Sequence, residues 1–71
     1  MLIQQKQDGS KGSFYVEENG TVLAEMTYSM TGADLMIIDH TEVSDELRGK
    51  NVGYQLVHTA VEYARANNIK I

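Results

Sequence analysis

The sequence predicts an α+β domain: an antiparallel meander of four strands, one helix on a face, and a fifth strand parallel to the fourth. Three observations carry that expectation. Apolar and polar residues alternate with period two through most of residues 13–43, broken by turn signals. From Val52 the apolar residues fall at 52, 56, 57, 60, 61 and 64, which is helical spacing. After that helix "IKI" again reads as a strand.

The elements follow in order. "MLIQQK" opens as a short first strand and "QDGSKG" is a polar, glycine-bearing turn. "SFYVEE" places Phe14 and Val16 on one face, with Ser13, Tyr15 and Glu17 on the other. Asn19-Gly20 is a strong two-residue hairpin signal, because a type I′ turn needs positive φ at both central positions. "TVLAEMTYSM" then sets Val22, Ala24, Met26, Tyr28 and Met30 on one face, and "TGAD" turns the chain again.

"LMIIDHTEV" is apolar on both faces from Leu35 to Ile38, which predicts a central strand covered on both sides. Its second half turns polar. Period-two alternation groups Leu35, Ile37, Asp39, Thr41 and Val43 on one face, and Met36, Ile38, His40 and Glu42 on the other. "SDELRGKN" is the connection to the helix, whose polar face carries Gln55, His58, Thr59, Glu62 and Arg65. Asn67-Asn68 is a C-terminal stop, since asparagine tolerates the left-handed conformation. A strand, helix, strand succession implies a right-handed crossover and hence a parallel pair.

The 71 residues form a single domain, 1–71. A domain of this size buries only about 60% of the surface of its unfolded chain, so it is marginal alone. Cysteine is absent, which excludes disulfides and thiolate zinc sites, and the two histidines are too few for a metal site. Stability must come from a compact core, from self-association, or from a chain that continues beyond residue 71. "IKI" with no turn after it favours truncation after the fifth strand, and an uncovered fifth strand would offer an edge for a homo-oligomer. No apolar run approaches the ~20 residues of a membrane span and no signal-peptide pattern is present, so a cytoplasmic location with no membrane partner is expected. The net charge of −4 argues against nucleic acid as a partner.

The chemistry concentrates in "LRGKNVGYQLV", residues 47–57. At a helix N-terminus the first amides lack intrahelical acceptors and the helix dipole is positive. Glycine allows a ligand close to the backbone. Arg48, Gly49, Lys50, Asn51, Val52, Gly53 and Tyr54 can therefore hold a phosphate, or they form a tight connection with no ligand at all. Asp45 and Glu46 counter the local positive charge.

The run "DHTEVSDELRGKNVGYQLVHTAVEYARANNIKI" resembles the core of the GNAT superfamily of N-acetyltransferases, and more narrowly its small stand-alone members, which carry a similar "HTEV…RGKGVG…LV…A…YA" pattern. The acyl-CoA motif of that superfamily is Arg/Gln-x-x-Gly-x-Gly/Ala. Arg48 matches its first position and Gly53 its last, while Asn51 stands where the middle glycine is usual. The resemblance implies acetyl-CoA as co-substrate, an amine as acceptor and no metal. It implies pyrophosphate binding by amides of Gly49 to Tyr54, pairing of the pantetheine arm around Glu42 and Val43, and polarisation of the thioester carbonyl by the Val43 amide. His40 and Glu42, neighbours on one strand face, are the candidate catalytic base. A solvated strand end and a packed histidine are the plain alternatives for the same two residues. Many members of that superfamily use a tyrosine after the fifth strand as thiolate donor, and the small subgroup carries a cysteine soon after that strand. Tyr54 and Tyr63 lie on the helix and do not match. The expected function is acetyl transfer from acetyl-CoA to an amine. A non-catalytic acyl-CoA-binding module and a structural or dimerisation domain are the alternatives.

Overall fold

The computed structural model describes residues 2–71. Strands β1 (Gln4–Asp8), β2 (Lys11–Glu18), β3 (Thr21–Thr31) and β4 (Leu35–Val43) form one antiparallel sheet in sequence order. A short 3₁₀ turn, Asp45–Leu47, leads toward helix α1 (Val52–Ala66). The expected first strand begins at Met1, which lies outside the described residues. Asn19 and Gly20 both take positive φ, 52° and 80°, as the type I′ turn requires.

The helix lies across one face only. Val52, Leu56, Ala60 and Ala64 form its buried stripe. Val52, Leu56 and Ala60 meet Phe14, Val16, Ala24, Met26, Tyr28 and Met36 of the sheet. Phe14 is the hub, with ring centroids 5.3 Å from Tyr28 and 5.8 Å from Tyr63 on the helix. Val57, expected on the apolar stripe, is exposed. Tyr28 is fully buried, yet its hydroxyl accepts from Gln5 Nε2 at 2.9 Å and donates to Gln7 Oε1 at 3.0 Å. Glycine is needed at position 12, because a Cβ there would stand 2.5 Å from the Tyr28 ring and hydroxyl.

Two β-bulges change the faces that simple alternation assigns. Val16 pairs with Ala24 but Glu17 pairs with Val22, so Leu23 is the extra residue. Leu23 turns inward and is buried, while Val22 is exposed. On β4, His40 pairs with Thr27 and Ile38 with Tyr28, so Asp39 is the extra residue. Beyond it the parity flips. Thr41 and Val43 now share the helix-side face with Met36 and Ile38, and His40 and Glu42 share the open face with Leu35 and Ile37.

Two further expectations are corrected. β4 is not covered on both sides: Leu35, Ile37 and Ile38 are 36%, 48% and 36% exposed. Among the described residues no element packs on its open face, and only Met36 of the strand is fully buried. The fifth strand is reduced to a single parallel bridge between Leu35 and Lys70. Lys70 accepts from the Met36 amide and donates to the Asp34 carbonyl, both at 2.7 Å. The three residues after the Asn68 turn make that one pairing and no ladder. The outer edge of β4 is therefore uncovered from Ile37 to Val43 among the described residues, as is the outer edge of β1.

Candidate functional site

β4 delivers the chain to the site and the 3₁₀ turn redirects it. Ser44 caps that turn, its Oγ accepting from the Glu46 amide at 3.3 Å. Leu47 is buried and anchors the connection to the core. The turn then closes with Arg48 N–H to Asp45 O and Lys50 N–H to Leu47 O, both 3.2 Å.

Gly49 has φ 80° and Asn51 has φ 62°, ψ 27°, in the left-handed region. Asparagine tolerates that conformation better than most side chains, so the turn keeps its shape without the usual glycine. A serine or aspartate N-cap in extended conformation would fold its oxygen back onto the amides two or three residues on. Asn51 makes no such bond. The helix's first bond from this segment is Gln55 N–H to Asn51 O, 3.1 Å. The amides of Gly49, Asn51, Val52, Gly53 and Tyr54 consequently have no acceptor among the described residues. They sit at the positive end of a 15-residue helix, and Asn51 itself is exposed. Gln55 Nε2 reaches the Lys50 carbonyl at 3.4 Å and ties the loop to the first helical turn.

Arg48 bonds through Nε to Asp45 Oδ1 at 3.0 Å. The pair is highly exposed, so it is worth little to stability. It does place the Arg48 charge against the Asp45 carboxylate beside the loop. Arg48 also walls a cleft of ≈ 620 Å³ together with Glu25, Thr41, Glu42, Val43 and Ser44. The Ser44 amide bonds inward to the Leu23 carbonyl at 2.7 Å. Amides on a strand point alternately to its two edges, so the Val43 amide faces the open edge.

His40 Nε2 and Glu42 Oε1 are 2.8 Å apart on the open face. Both side chains are exposed, 64% and 77%. Asp39, expected to face away from them, lies on the same side because of the bulge. Its Oδ2 accepts from Ser29 Oγ at 2.6 Å. No group of three His, Cys, Asp or Glu side chains converges among the described residues. His58 lies 3.7 Å from Glu62 on the outer face of the helix, one turn past Tyr54, with their ring centroids 6.1 Å apart. The sequence reading does not single out Glu25, which stands directly opposite Glu42 and lines the same cleft. Its signal was the antiparallel pairing of β3 with β4, hidden by a register that the bulge shifts.

An open-edged meander feeding an amide-lined helix start defines an α+β domain. The family model described as GCN5-related N-acetyl-transferase matches residues 13–71, and the chain belongs to that family. No curated protein matches the chain. No helix among the described residues is long and apolar enough to cross a membrane.

Proposed function

We propose that this domain binds acetyl-CoA and transfers its acetyl group to an amine. The observation that carries the reading is the set of unpartnered amides at Gly49 and Asn51–Tyr54, flanked by Arg48 and Lys50. Such a cradle suits a pyrophosphate. The outer edge of β4 suits the amide-bearing pantetheine arm, which would add to the sheet as an extra strand does. The open-edge amide of Val43 would then lie beside the thioester carbonyl, where negative charge develops during attack.

The reaction requires a neutral amine. The His40–Glu42 pair takes the proton from the acceptor ammonium, with Glu42 orienting and stabilising the imidazole that receives it. The amine nitrogen attacks the acetyl carbon, the N–C bond forms, and the C–S bond breaks. The nitrogen loses its second proton as it becomes an amide, and coenzyme A, leaving as a thiolate, takes up a proton to give the thiol. The same amides would equally serve a domain that holds acyl-CoA without turning it over, and one assay separates the two. Thiol release is followed with acetyl-CoA and a panel of primary amines. Acetyl transfer predicts amine-dependent release that falls at least ~100-fold in His40→Ala or Glu42→Ala. Amine-independent, mutation-insensitive release would contradict it.

A further inference from the structure

Glu25 on β3 stands directly opposite Glu42 on β4, and like charges so placed repel. The cation that meets Glu25 is Lys6, which reaches over β2 and stops 3.6 Å from Glu25 Oε2. That is longer than a charge-assisted hydrogen bond. Glu25 also lines two openings at once. One is the cleft beside Glu42, Val43 and Arg48, and the other is a groove of ≈ 280 Å³ on the open face, lined by Ser13 and Thr27. Ser13 is 2% exposed and its Oγ has no hydrogen-bond partner, against the rule for buried polar atoms. Ser13 pairs with Thr27 and Tyr15 with Glu25, so Ser13 and Glu25 are diagonal cross-strand neighbours. The groove thus brings together a carboxylate and a buried hydroxyl whose acceptor capacity is unfilled. A cation bearing several N–H donors suits both.

We propose that the acceptor is an aliphatic diamine and that Glu25 is the residue that selects it; the inference rests on the acetyl-transfer reading above. The near nitrogen lies at His40–Glu42 in the cleft, and the far ammonium lies in the groove against Glu25 and Ser13. Adjacent strands are about 5 Å apart, so nitrogens separated by about three to five methylenes span from β4 to β3. The near ammonium gives one proton to the His40–Glu42 pair and attacks the thioester carbon. The N–C bond forms, the C–S bond breaks, the nitrogen sheds its second proton as it becomes an amide, and coenzyme A takes up a proton to leave as the thiol. The far ammonium keeps its charge throughout. The singly acetylated product is a poor second substrate, because turning it round sets a neutral amide against Glu25. Lys6 competes with the far ammonium for Glu25. Lys11 also lines the groove but pairs with Ser29, two residues further along β2 than Ser13.

The test measures thiol release and product mass with putrescine and with butylamine, the monoamine of the same chain length, in the full chain, Glu25→Gln and Lys6→Gln. Amine basicity is common to the three chains, so the readout is the ratio of kcat/KM for the two amines. That ratio should fall about 2- to 5-fold in Glu25→Gln, through KM, the scale of a partly exposed ion pair. It should rise in Lys6→Gln, where the competing cation is gone. The product should carry one acetyl group. A purely structural ion pair would move both variants in the same direction. A ratio unchanged in Glu25→Gln, a fall in both variants alike, or release with other primary amines but not putrescine would overturn the inference alone and leave acetyl transfer standing. No amine-dependent release with any amine would overturn both.

Discussion

Asn51 decides whether the loop can work. It adopts positive φ and leaves the amides after it uncapped. A β-branched residue cannot take that conformation cheaply, so Asn51→Val should lower stability by about 1–2 kcal/mol, measured by urea unfolding. Asn51→Gly should be nearly neutral for stability and should not weaken acetyl-CoA binding. Asn51→Asp is the informative third variant. Its carboxylate brings charge to the anion cradle and should weaken binding severalfold with little effect on the fold. The position of the loop was legible in the sequence, because the alternating pattern gives way to helical spacing at Val52 and glycines gather at that junction, a composition that also suits a tight connection with no ligand. That the Asn51 side chain would leave the amides uncapped was not legible. It depends on a side-chain choice that spacing does not encode.

At the scale of elements, the strands and the helix were legible because period two and period 3.6 are different patterns, and Asn19-Gly20 names its own turn. The faces were less so. Each bulge inserts one residue, at Leu23 and at Asp39, and every residue beyond it changes side. Nothing in a single sequence marks an extra residue within an apolar strand. The coverage of β4 was hidden for a related reason: Leu35 and Ile37 look buried by type but lie on the face away from the helix, and Ile38, on the helix side, is still 36% exposed. The packing that does exist makes two predictions. Leu56→Ala, at a fully buried helix position, should cost about 2–5 kcal/mol in urea unfolding. Gly12→Ala should cost about 1–3 kcal/mol, because Tyr28 is locked by both Gln5 and Gln7 and the Lys6 carbonyl stands 2.8 Å from the new methyl.

At the scale of the whole molecule, the fold sorts its two faces. One face of the sheet holds the core and the helix. The other presents His40, Glu42, Glu25 and the Lys6 ammonium as a polar platform. The open edge of β4 and the amide-lined loop meet at the end of that platform. Coupling between ligand and fold follows, because a small domain gains stability in proportion to the logarithm of ligand excess. Acetyl-CoA at 100-fold over its dissociation constant should add ~2.7 kcal/mol. For a domain of this size that raises the melting temperature by on the order of 10 °C. The central claim is tested most directly by following each backbone amide by NMR during titration with acetyl-CoA. The account predicts saturable shifts at Val43, Gly49, Asn51, Val52, Gly53 and Tyr54, with little change along β1. Saturable shifts confined to other parts of the chain, or none at all, would contradict it.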